Sequence, residues 1–206
     1  MLLELFISSF ITFFVVIDPP GCAPIYAGLT AGAGPVQRRV MAVRAVGVAA
    51  LILLVFALFG ENLLKGLGIE LASFRIAGGI MLFLIALEMV FEKRTQRRED
   101  RAAKVTEEEA EDVSIFPMAM PMIAGPGSIA SVMLLMARSD GVERSAVVMA
   151  ALGANLLLTL IALLAAGPMM RLLGHKIEAV ITRLLGVLLA ALAVQFVIDG
   201  VQIQFG

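Results

Sequence analysis

The chain has 206 residues, of which 60% are apolar, and it carries 19 glycines besides. Its 33 charged residues are unevenly spread: 14 crowd into residues 92–112, which leaves 19 for the other 185. That is too few to coat a water-soluble surface of this size, so a soluble enzyme, a nucleic-acid binder and a disordered tail are excluded. An integral membrane protein is expected.

One cysteine, Cys22, rules out an internal disulfide and any cysteine-based metal cluster, and one histidine, His175, leaves no imidazole cluster for zinc. The opening Met-Leu-Leu-Glu-Leu-Phe puts Glu4 where a secretory signal would place Lys or Arg, so the first apolar segment is expected to stay in the mature chain.

A helix needs about 20 apolar residues to cross the hydrocarbon. Six stretches qualify, at residues 5–29, 41–59, 71–91, 113–137, 145–170 and 180–201. The first contains Asp18-Pro19-Pro20-Gly21-Cys22, with Pro24 close behind. Proline removes a backbone donor and clashes with the preceding turn, so a break near mid-membrane is expected here. Asp18 reads either as an N-cap ahead of a first-turn proline or as a functional acid in the membrane. It can also be both, capping with one oxygen and facing a ligand with the other.

The second and third stretches carry Arg44, Arg75 and Glu88 near their ends, where anchoring or pairing with boundary charges is expected. Residues 92–112 follow, basic first and acidic second, and read as a solvated, partly helical connector. The fourth stretch repeats the pattern of the first: Gly125-Pro126-Gly127-Ser128 follows Pro117 and Pro121, and a second break is expected. Ser128 has the same two readings as Asp18, cap or ligand contact. In the fifth, Asn155 and Thr159 share a helix face, and Gln195 lies in the sixth. These side chains read as interhelical hydrogen bonders, with Asn155 and Gln195 kept as site candidates. Gly78, Gly79, Gly153 and Gly186 read as points where helices approach closely.

Loops after the first, third and fifth stretches hold ten Lys and Arg against three on the opposite face. Positive charge stays cytoplasmic, so both termini should face away from the cytoplasm. Laying the chain on itself at an offset of 106 aligns Pro20-Gly21 with Pro126-Gly127, Arg38 with Arg144 and Gly47 with Gly153. The chain then divides into a first three-helix repeat (1–91), a charged loop (92–112) and a second repeat (113–206). Three spans per repeat is odd, so the second repeat enters the membrane with opposite polarity, a plan shared by secondary transporters. At each break, freed carbonyls and amides must meet protein, water or ligand. A half-helix N-terminus suits a carboxylate and a half-helix C-terminus suits Na⁺ or an ammonium, so two breaks fit a zwitterion. Enzyme chemistry is not expected, since the spans hold no metal motif, aspartate pair or nucleophile with a base.

The stretch Phe14-Val-Val-Ile-Asp18-Pro-Pro-Gly-Cys-Ala-Pro-Ile25 resembles the first-span signature of the MarC family of bacterial inner-membrane proteins. Residues 76–86 are similar to its third-span signature and 117–129 to its fourth; Arg183-Leu-Leu-Gly186 with Gln195 and Asp199-Gly200 resembles the sixth. Cys22 departs from the family's usual Asn. The resemblance implies six spans, non-cytoplasmic termini and, by analogy with SnatA-type members, carriage of small neutral amino acids such as glycine and alanine. It further implies no cofactor beyond a coupling cation, Na⁺ near Asp18 or H⁺. Export of other metabolites or drugs is the alternative. Site candidates are Asp18, Pro19, Pro20, Gly21, Cys22, Pro24, Gly125, Pro126, Gly127, Ser128, Asn155 and Gln195.

Overall fold

A computed structural model describes residues 2–103 and 112–205, leaving aside the side chains of 95, 101–103 and 169–178. Lys104 and the acidic run up to residue 111 therefore lie outside the described residues, as do the side chains of Arg101, Arg171, His175 and Lys176. The described chain is helical, with no strand. Nine helical segments follow one another: α1 (Leu2–Ile17), α2 (Pro19–Leu29), α3 (Pro35–Gly66), α4 (Leu71–Val90), α5 (Lys93–Ala103), α6 (Ser114–Ile123), α7 (Pro126–Ala137), α8 (Val142–Leu164) and α9 (Ala166–Phe205). Five stretches among the described residues are long and apolar enough to span a membrane, or six when the bent pair α6–α7 is taken as one span.

Both expected breaks are present. The chain leaves the helix at Asp18, between α1 and α2, and at Ala124–Gly125, between α6 and α7. Leu2–Leu29 still counts as one span, whereas α6 and α7 meet at 52°. Pro24 makes no break; it lies inside α2, where the carbonyl of Pro20 simply loses one donor. Segment α6 is wider than an α-helix, with i→i−5 bonds from Met118 to Val113 and from Ala124 to Ala119. Inside it, Phe116 (φ −121°, ψ 129°) and Met120 (φ −131°, ψ 125°) are extended because each precedes a proline.

The last two spans depart from expectation at their junction. Residues 171–179 were expected to form a loop, yet α8 and α9 are separated by Ala165 alone and α9 runs for 40 residues. Charge ends a hydropathy window without ending a helix, and Pro168 falls in the first turn, where proline is tolerated. The membrane-crossing part of α9 is Ala179–Phe205.

Small residues set the helix packing. Helices α4 and α9 run antiparallel with Gly79 against the Ala193 carbonyl, Gly186 against that of Ala86 and Gly200 against that of Ala72. A Cβ added at these glycines would come within 3.1 Å of those carbonyl oxygens, so only hydrogen fits. Gly78 similarly abuts Leu134 of α7, but Gly153 has nothing within 4 Å of where its Cβ would be, so no close approach explains it. Helix α1 lies on α8, where Asn155 Nδ2 donates to the Phe10 carbonyl (2.9 Å) and Thr159 Oγ1 to the Asn155 carbonyl (2.8 Å). Helices α1, α2 and α7 are thereby held at the centre, with α3 and α8 on one flank and α4 and α9 on the other.

Candidate functional site

The first break can be built by counting donors. In an unbroken helix, the carbonyls of Val16 and Ile17 would accept from residues 20 and 21. Pro20 has no N–H, and the N–H of Gly21 is drawn to Asp18 Oδ1 at 3.2 Å. Asp18 sits in the left-handed region (φ 58°, ψ 65°), which Asp tolerates better than most residues, and caps α2. The Val15 carbonyl, whose partner would be the equally donorless Pro19, is stranded with them, so three acceptors are left in the interior.

Helix α5 fills two of them, at Val16 and Ile17. Arg94 donates to the Val16 carbonyl at 2.5 Å, and Arg98 donates to the Ile17 carbonyl at 3.3 Å and to Asp18 Oδ2 at 2.9 Å. Both ends of the Asp18–Arg98 pair are buried, their side chains 2% and 7% exposed. So Asp18 is the cap that the sequence suggests, and its other oxygen, expected to face a ligand, takes a charge instead. The charge belongs to the chain itself. Cys22 Sγ donates to the same Ile17 carbonyl at 3.5 Å and is wholly buried. Burial pulls Arg94 down to about 10, helped by the Arg98 charge and opposed by Asp18, so it remains a cation at neutral pH.

The second break solves the same shortage differently. Pro126 has no N–H, and the Ile123 carbonyl accepts from Ser128 Oγ at 2.7 Å. This is the Cys22–Ile17 bond over again, at the offset of 106 that relates the two motifs. No acid and no arginine is needed. A Cβ on Gly125 would strike the Pro121 carbonyl at 2.4 Å, and one on Gly127 would meet Ile85 Cδ1 at 2.6 Å and Val16 Cγ1 at 3.2 Å. Gly127 thus lets the second break close on α1 just before the first.

Between the breaks is a cavity of about 440 Å³. Gly125, Pro126, Gly127 and Ser128 form one wall with Pro121 and Met122; Val16, Met81, Leu84 and Ile85 form the apolar side. Arg94, Arg97, Arg98 and Glu88 supply the charge, with Arg97 and Glu88 paired at 2.6 Å. The solvated, partly helical connector expected for residues 92–112 holds for the exposed Lys93, Gln96, Arg97, Glu99 and Asp100 of α5. It is corrected at Arg94 and Arg98, which turn inward, line the cavity and plug the first break.

The candidates do not all gather there. Gly125 to Ser128 line the cavity, while Asp18, Pro19, Pro20, Gly21 and Cys22 lie behind Arg98 and Val16, outside the lining. Pro24 sits further along α2. Asn155 belongs to the α1–α8 contact, with its Oδ1 buried and unpartnered. Gln195 donates to Asp199 at 2.7 Å, beside Arg138, which pairs with Asp199 and stacks over Phe196 at 4.3 Å. Na⁺ near Asp18 does not fit this conformation, because a guanidinium already holds the carboxylate oxygen. Arg94 and Arg98 were missed as site residues. Their signal was present as two arginines one helical turn apart, in a chain whose Pro19-Pro20 must strand carbonyls inside the first span.

Similarity to known proteins runs the length of the chain. A UPF0056 membrane protein of Methanocaldococcus jannaschii is 37% identical over 203 residues, covering 97% of both chains. The UPF0056 membrane protein YvbG of Bacillus subtilis is 34% identical, covering 100% of this chain and 98% of its own. The UPF0056 inner membrane protein YhgN of Escherichia coli K12 is 32% identical, covering 95% of each. No solved structure matches. Residues 3–205 match the family described as MarC family integral membrane protein. With five to six candidate spans, two proline breaks and full-length relatives, the chain belongs to the MarC family of multi-pass membrane proteins.

Proposed function

We propose that this protein is a secondary transporter of small neutral amino acids of the glycine and alanine class, with the substrate bound between the two breaks. The observation that carries the reading is the charge arrangement of the cavity. Arginines and the N-terminal turn of α7 can hold a carboxylate, and Glu88, whose Oε1 pairs with Arg97, can offer its other oxygen to an ammonium, within about 440 Å³. None of the described lining residues is aromatic, which supports a small aliphatic substrate over a large drug-like one. No catalytic role is part of the reading.

The proposal places the protein in a bacterial inner membrane with both termini outside the cytoplasm, supported by the bias of Lys and Arg among the loops and by the printed name of YhgN. Coupling to Na⁺ or H⁺ rests on the resemblance alone. The test is uptake of labelled glycine and alanine into proteoliposomes, with Na⁺ and pH gradients imposed separately. Saturable uptake driven by one gradient is the expected result. Uptake indifferent to both gradients would remove the coupling, and no uptake of either amino acid would remove the substrate class.

A further inference from the structure

The first break holds a guanidinium as a receptor holds a ligand. Asp18 Oδ2 and the Ile17 carbonyl both accept from Arg98, and the neighbouring Val16 carbonyl accepts from Arg94. All three acceptors belong to the α1–α2 break, and both cations come from α5, a segment distant in the chain. Removing the guanidinium would leave a carboxylate and a freed carbonyl facing one another in the protein interior. That is a binding site for a planar cation, whether or not the cation is tethered.

We propose that the first break is a cation-binding site of the guanidinium class, that Arg98 occupies it in cis, and that undocking of α5 uncovers it. Helix α5 is then a strap whose docked position closes the cavity along its Arg94, Arg97 and Arg98 edge. The inference stands on the fold and is independent of what is transported.

The chain supplies its own reporter. Cys22 is its only cysteine, is wholly buried, and shares the Ile17 carbonyl with Arg98, so the thiol lies directly under the guanidinium. Its reaction rate with a charged maleimide in open membrane fragments reads whether the strap is docked. Wild type should label slowly. Arg98→Ala should label roughly a hundredfold faster, the scale on which losing one member of a buried ion pair shifts a closed–open balance.

Millimolar guanidinium should then restore slow labelling of Arg98→Ala in a saturable manner. Urea, equally planar but neutral, should not, and neither should sodium chloride at the same ionic strength. A thiol as inert in Arg98→Ala as in wild type would overturn the strap. Fast labelling that guanidinium leaves unchanged, or that sodium slows equally well, would overturn the guanidinium site. If Arg98→Ala fails to accumulate as folded protein, Arg98→Lys serves, because an ammonium keeps the charge and loses the fork. Its labelling should lie between the other two rates and still slow with added guanidinium; indifference there would overturn the proposal as well.

Discussion

The two breaks begin from the same difficulty and end in different states. Each has a proline just past a helix end, and each gives the carbonyl five residues back to a small polar side chain, Cys22 on Ile17 and Ser128 on Ile123. The first break adds an acid in a left-handed conformation and therefore needs a cation from elsewhere. The second has glycine at the corresponding cap, bends by 52° and needs none. A neutral break can face a cavity; a charged one must be occupied. That is why Gly125 to Ser128 line the open space while Asp18 to Cys22 sit behind an arginine.

The comparison is broken most easily at its glycines. A Cβ on Gly21 would fall 2.3 Å from Asp18 Oδ2 and 2.9 Å from Arg98 Nη1, so Gly21→Ala must part the ion pair. It should cost about 3 kcal/mol, the range for splitting a buried pair. A Cβ on Gly127 meets only the ends of aliphatic side chains, so Gly127→Ala should cost about 1 kcal/mol. Unfolding in detergent micelles measures both. Equal losses would mean that Asp18 and Arg98 contribute nothing special to the first break.

The shared small-residue bond gives a finer test. Ser128→Ala removes the one donor recorded on the Ile123 carbonyl and should cost about 1 kcal/mol. Cys22→Ala should cost roughly half that, because a thiol is a weak donor and Arg98 still serves the Ile17 carbonyl. A larger loss at Cys22, again by unfolding in micelles, would reverse the ranking and deny that the arginine shares the load.

The smallest effect concerns how the second break is approached. Asp112 accepts from the Ser114 amide at 3.0 Å and from its hydroxyl, and pairs with Arg44, fixing the start of α6. Ser114 chiefly, with Arg44 adding to it, holds the Asp112 carboxyl below its usual range against the pull of burial. A depressed carboxyl stabilises fully above its unfolded value, near 3.8, and that contribution fades as pH falls below it. Thermal midpoints should therefore drop in acid more for the wild type than for Asp112→Asn. The difference should be slight, since the carboxylate is 41% exposed. No difference would leave α6 anchored by its packing alone.

Much of this was legible from residues alone. Six spans follow from charge-free length, and both breaks follow from proline beside glycine. Helix ends were less legible, because hydropathy registers where charge begins and a helix such as α9 continues past it. Asp18 was recognised as a double-natured residue, but its partner was not, since a basic run in sequence looks like a solvated face. What places Arg98 in the interior is a tertiary shortage of donors at Val16 and Ile17, and that shortage becomes visible only once α5 is known to pack on α2. Asn155 and Gln195 could not be sorted for the same reason: polarity marks them, and only packing shows which helix each one serves.

The seam between α4 and α9 has a mechanical consequence. Helix α4 precedes the strap and α9 ends the described chain, so their contact, the most extensive between any two helices, joins the early half of the molecule to the late half. At Gly79, Gly186 and Gly200 the facing helix seats side-chain atoms of Val197, Met89 and Ile76 together with a backbone carbonyl. Such a seam resists separation, because every small increase in distance forfeits close contacts along its whole length. Movement within the fold is therefore expected to carry α4 and α9 together as one piece.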